Sequence, residues 1–104
     1  MSSPTQRSLK VLRDRGYPLV QVTERWNGFA RKRVDLFGIV DVLAVGADIV
    51  AVQTTSGSNL AARIRKITDH PSLPVLRKAG IRILAHGWTK RANGRYELRE
   101  VDLS

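Results

Sequence analysis

Two apolar segments separated by only three residues place the strongest limit on how this chain can fold. Residues 39–45 and 49–55 carry aliphatic side chains at most positions, and the Gly-Ala-Asp sequence at 46–48 between them is typical of a tight turn. Strands that are apolar on both faces lie in the middle of a sheet and are covered on both sides. The pair therefore predicts a central β-hairpin with helices on each face, which is an α/β fold.

The other segments supply the flanking strands and helices. Ser3 predicts a helix start, and the Asn-Gly sequence at 93–94 predicts a turn between the last two strands. A slip in alternation between Leu98 and Val101 predicts a β-bulge in the last strand. The order is α-β-β-β-α-(α)-β-β: a mixed sheet flanked by helices, a C-terminal β-hairpin and one domain over residues 1–104. Beyond the central hairpin, the predicted strands cover 19–26, 81–88 and 96–103, and the predicted helices cover 4–15, 60–67 and 74–80.

An excess of basic residues indicates the class of partner. The chain has 18 Lys and Arg against 9 Asp and Glu, a formal net charge of +9 at pH 7. Such a surface favours phosphate groups, because each Lys or Arg near a phosphate releases condensed counterions. The alternative is that the charge serves only solubility. We expect DNA as the partner, with its backbone held by Arg31, Lys32 and Arg33, in a predicted loop, and by Arg63, Arg65 and Lys66.

Several classes of protein and site are excluded by residues that the chain lacks or spaces widely. It has no cysteine, so disulfides, thiolate metal sites and thiol catalysis are excluded. His70 and His86 do not have the spacing of a zinc site. No apolar run is long enough to span a membrane, and residues 1–10 lack the apolar core of a signal peptide, so we expect a cytoplasmic protein. A chain of 104 residues has little room for a deep pocket, so we expect a surface-bound substrate and a homodimer.

Two polar residues interrupt the central hairpin, and its register predicts that they meet. If Val45 faces Ile49 across the turn, paired positions on the two strands keep a constant sum of residue numbers. Asp41 then lies opposite Gln53 on the same face, with Thr55 projecting to that face two residues further on. An unpaired buried carboxylate is costly, and Mg²⁺ (or Mn²⁺) bound by the Asp41 carboxylate and the Gln53 amide oxygen would be one remedy. The alternative is that Asp41 pairs with an arginine or caps a backbone group, and that Gln53 satisfies it.

The sequence around these residues resembles a nuclease family. The string GIVDVLAV, a short turn and then IVAVQTTSGSN is similar to the core of the PD-(D/E)XK nucleases, with small phage and archaeal Holliday-junction resolvases the nearest in appearance. The resemblance covers about residues 19–84. It implies a restriction-endonuclease-like αβββαβ core and a metal-dependent endonuclease that hydrolyses phosphodiester bonds in DNA, branched DNA included.

Carried over position by position, the resemblance assigns roles to residues of the hairpin. Asp41 matches the aspartate of the motif, Gln53 stands where the family usually has glutamate, and Thr55 stands where it has lysine. Threonine cannot replace an ammonium group that orients the attacking water or stabilises developing negative charge. Lys66 or Arg63 on the following helix could reach back to supply that group, although a solvated charge on the helix face is the other reading of Lys66.

Resolvases of this family also resemble one another in an acidic residue from the N-terminal helix, and here that helix offers only Asp14, near its end. Glu24 on the first predicted strand and Asp35, six residues before Asp41, are better placed by sequence, so we expect Asp35 or Glu24 as the second acidic ligand. The alternative for each is a surface ion pair with a nearby arginine. Trp26 and Trp88 could stack on unpaired bases, although large aromatic side chains more often lie in the core.

Three functions remain open from the sequence. The first is a Mg²⁺-dependent DNA endonuclease, and the second is a nucleic-acid-binding module with the same fold that has lost cleavage, which the replacements at Gln53 and Thr55 favour. The third is an assembly subunit whose charge engages an acidic partner.

Overall fold

The computed structural model describes residues 3–104, and a five-stranded mixed sheet forms its centre. The strand order is β1-β4-β5-β6-β7, in which only the β5–β6 pair is parallel. A second sheet consists of β2 and β3 alone. The strands are β1 (Leu19–Val22), β2 (Arg25–Asn27), β3 (Lys32–Val34), β4 (Val42–Val45), β5 (Ile49–Ser56), β6 (Arg82–Lys90) and β7 (Tyr96–Asp102). The helices are α1 (Pro4–Asp14), α2 (Leu60–Thr68) and α3 (Ser72–Lys78).

Helices cover both faces of the sheet, because alternate residues of β4 and β5 point to opposite sides and both sets are apolar. On one face, α1 packs Leu9 and Leu12 against Val42, Ala44, Val50, Val52 and Leu84. On the other face, α2 and α3 pack Leu60, Ile67, Leu73 and Leu76 against Ile39, Val40, Ala51, Ile83 and Ala85. Each fully buried aliphatic side chain stabilises the fold by about 1.5–3 kcal/mol. The predicted α/β class, with a central hairpin and a C-terminal hairpin, is confirmed.

The register of the central hairpin is the predicted one. Val45 pairs with Ile49, and Val42 pairs with Val52 three positions along the ladder. The amide of Asp41 continues the ladder by donating to the carbonyl of Val52, at 2.9 Å. β4 is shorter than predicted, because residues 36–40 form a turn that is closed by a bridge between Leu36 and Val40.

The prediction of one strand over residues 19–26 is wrong. β1 ends at Val22, where Thr23 donates from its amide to the Asp41 carbonyl and from its hydroxyl to the Val40 carbonyl. The chain then leaves the main sheet and forms the β2–β3 hairpin, which we call the ribbon (residues 25–34). Asn27 helps to close it, since its Oδ1 accepts hydrogen bonds from the amides of Phe29 and Ala30. Lys32 and Arg33 therefore lie on a strand, and of the three basic residues predicted in a loop only Arg31 lies in the turn.

The predicted bulge in the last strand is also wrong. β6 and β7 pair without interruption from Leu84–Asp102 to Lys90–Tyr96. β7 is an edge strand that is exposed along most of its length, so no buried face forces its side chains to alternate. The slip in the pattern therefore has no counterpart in the backbone.

α1 begins where the sequence predicts. The Ser3 hydroxyl accepts a hydrogen bond from the amide of Gln6, and Pro4 occupies the first helical turn. Among residues 3–104, neither this helix of 11 residues nor any other is long and apolar enough to cross a bilayer. The N-terminal end of α1 lies beside the residues described next.

Candidate metal centre

Three successive chain closures bring four polar residues together. Arg25 pairs with Val34 at the base of the ribbon, and one position outside that pair stand Glu24 and Asp35. Leu36 pairs with Val40, and one position outside that pair stand Asp35 and Asp41. Val42 pairs with Val52, and one position outside that pair stand Asp41 and Gln53. Each closure thus places the next polar side chain beside the last.

The carboxylates of Glu24, Asp35 and Asp41 form a compact cluster. One oxygen of each lies within 4.8 Å of the others, which is close enough for all three to share one cation. Asp41 is 3% exposed, whereas the other two side chains are more accessible. Both Asp35 and Glu24, the two residues between which the sequence could not choose, therefore lie in the cluster.

Asp41 is held by three hydrogen bonds at one oxygen. Its Oδ2 accepts from Gln53 Nε2 at 2.7 Å, from the Thr54 amide at 2.9 Å and, weakly, from the Thr54 hydroxyl at 3.5 Å. The predicted meeting of Asp41 and Gln53 is confirmed by the first contact, and the first two contacts are also those of the alternative, in which Asp41 caps a backbone group and Gln53 satisfies it. Gln53 Nε2 also donates to Asp35 Oδ2, at 3.3 Å, so one amide group links two carboxylates.

The cluster strongly disfavours a charge on Asp41. Burial raises the pKa of Asp41 from 3.8 to about 7, and its hydrogen bond to Asp35 and the negative charges of Asp35 and Glu24 act in the same direction. The hydrogen bond from the Thr54 amide opposes the rise. Without a cation, Asp41 thus keeps its proton through much of the acidic range.

Two nearby cations neutralise part of the cluster. Lys66 Nζ lies 3.7 Å from Asp35 Oδ2, and Arg33 Nη1 lies 3.1 Å from Glu24 Oε1. Both basic side chains are largely exposed, so these pairs contribute little to stability. Glu24 therefore forms the arginine pair that was its alternative to metal binding, whereas the partner of Asp35 is a lysine, and both pairs coexist with the cluster. Neither of them neutralises Asp41.

The donor set of the cluster fits a hard divalent cation. Mg²⁺ and Mn²⁺ are bound mainly by oxygen, and three carboxylates supply it at one point. Gln53 is 1% exposed, and among residues 3–104 no donor lies within hydrogen-bond distance of its Oε1. In this arrangement its amide nitrogen faces the carboxylates. A half-turn of the amide would present the oxygen to a cation instead, as the sequence predicts.

The cluster lies on the wall of an open cleft. Helix α1 contributes the N-terminal residues Ser3, Pro4 and Thr5, and Thr54 contributes from β5, with its hydroxyl 3.1 Å from that of Thr5. The cleft is completed by Glu24, Arg33, Asp35, Asp41, Arg63 and Lys66. A helix N-terminus and three basic side chains around a carboxylate cluster produce a site that can hold an anion and a cation side by side.

The structure separates the other sequence candidates into two sets. Arg33, Arg63 and Lys66 line the cleft, whereas Arg31, Lys32 and Arg65 do not. Thr55 is buried, pairs with Gly87 in the parallel ladder and does not line the cleft. Sequence reasoning missed its neighbour Thr54, because a residue one position from Gln53 is expected on the opposite face of the sheet. Asp41 precedes β4, and its carboxylate there accepts from the Thr54 amide.

A buried polar chain fixes α1 above the cleft. Trp88 Nε1 donates to Ser8 Oγ at 3.0 Å, and Ser8 Oγ lies 2.8 Å from His86 Nδ1. His86 Nε2 lies 2.8 Å from the Glu100 carboxylate, which can only accept, so a neutral ring carries its proton on Nε2 and its Nδ1 accepts from the Ser8 hydroxyl. Burial lowers the pKa of His86, which agrees with a neutral ring. His86 lies inside β6 and is fully buried.

In comparisons with known proteins, no protein-family model, curated protein or solved structure matches the chain. The resemblance to the PD-(D/E)XK nucleases therefore depends on the residues and the geometry. The part of it that the structure supports is a mixed α/β fold with an acidic cluster that could hold a divalent metal.

Proposed function

We propose that this protein is a Mg²⁺- or Mn²⁺-dependent endonuclease that hydrolyses phosphodiester bonds in DNA. The single observation that carries the proposal is the cluster of Glu24, Asp35 and Asp41 in a cleft otherwise lined by basic side chains and a helix N-terminus. An acidic cluster in a protein of net charge +9 is unexpected for a site that only binds DNA, since it repels phosphate. A cation between the cluster and a phosphate removes that conflict.

Each side chain of the cleft has a role under this proposal. The three carboxylates and the Gln53 amide oxygen would hold the cation. When bound, the cation supplies Lewis-acid activation of the phosphodiester and of the attacking water. Arg63, Arg33 and the α1 N-terminus hold the phosphate in place.

Lys66 is the best candidate for the ammonium group that the motif lacks at Thr55. It lines the cleft from α2, and its Nζ is 3.7 Å from Asp35 Oδ2. From there it can stabilise negative charge that develops on the phosphate. Thr55 itself is buried, which leaves it a structural role in the strand.

The rest of the proposal extends the resemblance to resolvases. We propose branched DNA as the substrate, a homodimer in the cytoplasm as the active form, and residues 1–104 as one domain. The small size of the chain supports the dimer, since a second copy widens the DNA-binding surface. Light scattering measures the oligomeric state directly.

A second candidate function is favoured by one contact. Gln53 presents its amide nitrogen, not its oxygen, to Asp41 and Asp35, so the cluster is partly satisfied without a metal. This arrangement suits a nucleic-acid-binding module that keeps the fold and has lost cleavage. It predicts salt-sensitive DNA binding with no product under any metal condition.

Cleavage assays on a four-way junction and a matched linear duplex distinguish the two functions. We expect cleavage with Mg²⁺ or Mn²⁺, none with chelator, and a loss of at least about a hundredfold in Asp41→Asn and Asp35→Asn, because each removes a carboxylate ligand. Asp14→Asn is the matched control, since Asp14 is an exposed carboxylate that pairs with Lys10 away from the cleft. Cleavage that survives Asp41→Asn, or binding without cleavage, would contradict the nuclease proposal.

A further inference from the structure

The ribbon exposes two aromatic side chains that the proposed site does not use. Every residue of β2 and β3 is exposed. Trp26 on β2 is 64% exposed, and Phe29 in the turn is fully exposed. A single surface aromatic needs no explanation, but two on one short hairpin form an apolar patch of the kind that marks a binding surface.

The two aromatics share one groove with polar and basic neighbours. Trp26 and Phe29 line it together with Arg25, Asn27, Gly28 and Val34. Three basic side chains of the ribbon form no ion pair with any of residues 3–104, namely those of Arg25, Arg31 and Lys32. Arg33 on the same hairpin pairs with Glu24. Exposed aromatic faces on a hairpin that also carries unpaired basic side chains are the recognition pattern of proteins that stack unpaired bases and hold the linking phosphates.

We propose that the ribbon binds a segment of unpaired nucleotides, with bases stacked on Trp26 and Phe29 and phosphates at Arg25, Arg31 and Lys32. Charge selects this occupant: a hydrophobic protein partner would leave three cations unpaired, whereas a single strand supplies both flat apolar faces and negative charge. Duplex DNA offers the charge but hides its base faces in the stack. The ribbon therefore discriminates single-stranded from double-stranded segments.

This inference rests on the proposed function and specifies its substrate class. Glu24 and Asp35 lie at the base of the ribbon, and Arg33, which pairs across from Trp26, lines the cleft. Unpaired nucleotides on the ribbon would thus adjoin the carboxylate cluster. The substrate is DNA with an unpaired stretch next to the scissile bond, such as a flap, a bubble or an open junction.

Binding measured in chelator tests the ribbon without any cleavage. The probes are an oligothymidylate of about twelve nucleotides and a duplex of the same length. We expect tighter binding to the single strand, and a loss of about 5- to 100-fold for it in Trp26→Ala and in Phe29→Ala, with little change for the duplex. Trp26→Phe keeps a flat ring and should retain most of the affinity while losing the quenching of tryptophan emission on binding.

Matched controls separate stacking and local charge from general surface effects. Val75→Ala removes an equally exposed apolar side chain on α3 and should leave binding unchanged. Arg31→Ala should reduce the slope of the logarithm of the binding constant against the logarithm of the salt concentration by about the value for one phosphate contact. Arg99→Ala on β7 should leave that slope unchanged. All these positions are on the surface, so the variants should keep the melting temperature of the parent.

The outcomes distinguish this inference from the nuclease proposal. Asp41→Asn should lose cleavage yet keep ribbon-dependent binding, and Trp26→Ala should keep hydrolysis of bis(p-nitrophenyl) phosphate, which has no bases. Equal affinity for the two probes, or single-strand affinity untouched by both aromatic substitutions, would overturn the ribbon assignment. So would a change of oligomeric state in Trp26→Ala without a change in binding, since the patch would then be a protein interface.

Discussion

Asp41→Asn should make the metal-free protein more stable while it removes metal binding. Asparagine has nearly the shape of a protonated aspartate. Its Oδ1 can accept the hydrogen bonds from Gln53 Nε2 and the Thr54 amide, and its Nδ2 can donate to Asp35. The substitution therefore keeps the contacts of the cluster and removes the charge that burial and the neighbouring carboxylates oppose.

The size of the effect follows from the pKa of Asp41. A rise of the pKa from 3.8 to about 7 means that an ionised Asp41 lowers the free energy of unfolding by about 4 kcal/mol. This pKa already includes the opposing effect of the hydrogen bond from the Thr54 amide, which favours the ionised side chain. We expect Asp41→Asn to be more stable than the parent by about 2–4 kcal/mol above about pH 7.

The sign of the pH dependence is fixed by the direction of the shift. Because the folded-state pKa of Asp41 is raised, the folded protein binds the proton more tightly than the unfolded chain does. The stabilisation that Asp41 contributes is complete below pH 3.8, its ordinary pKa, and is lost as the pH rises to about 7. The advantage of asparagine should be near zero below about pH 4, should grow across that window and should then level off.

Urea denaturation in chelator at about pH 4, 5.5, 7 and 8 measures the difference between the parent and Asp41→Asn. Calorimetry with Mn²⁺ at about pH 7.5 measures metal binding, which we expect only for the parent. Asp14→Asn is again the control and should show no comparable trend. A variant that is less stable than the parent at about pH 8, or a difference that does not change with pH, would refute the reasoning.

Three further outcomes follow from the same contacts. The apparent association constant for Mn²⁺ should fall about tenfold per pH unit below about pH 7, because binding must displace the Asp41 proton, and calorimetry across that range measures the slope. Ser8→Ala should cost about 2 kcal/mol in urea denaturation, because it leaves the buried Nδ1 of His86 without a donor. Gly38→Ala should lower the free energy of unfolding by about 1–3 kcal/mol and weaken Mn²⁺ binding. Gly38 has φ +81°, and an added Cβ would lie 2.6 Å from His70 Nε2, in the turn that spaces the acidic residues.

The part of the site that lies on the central hairpin could be predicted from the sequence. One tight turn fixes the register, and the register fixes which residues face each other, so the meeting of Asp41 and Gln53 needed no knowledge of the remaining fold. The same counting applies to the closure that joins Asp35 to Asp41. This closure could not be predicted, because nothing in the sequence of residues 36–40 identifies a closed turn.

The ribbon could not be predicted from apolar periodicity. Its strands are three residues long and exposed on both faces, so they carry no alternation of apolar and polar residues. Asn27 and Gly28 indicated a break, but not that the chain would pair with itself across it. Without that pairing, Glu24 and Asp35 remained alternatives for one ligand position, whereas the structure brings both to the cluster.

The position of the ribbon in the chain has a consequence for how such a protein can diversify. The spacing of Glu24 and Asp35 is set where Arg25 pairs with Val34 at the foot of the ribbon, and beyond that pairing only Arg33 contacts the acidic cluster, through Glu24. The part of the hairpin beyond Arg33 can therefore be lengthened or given a new tip while its base keeps the carboxylates in place. Under the proposed function, nucleotide binding at the tip and metal binding at the base would occupy separable parts of one short hairpin, so each could change without the other, in evolution or by grafting.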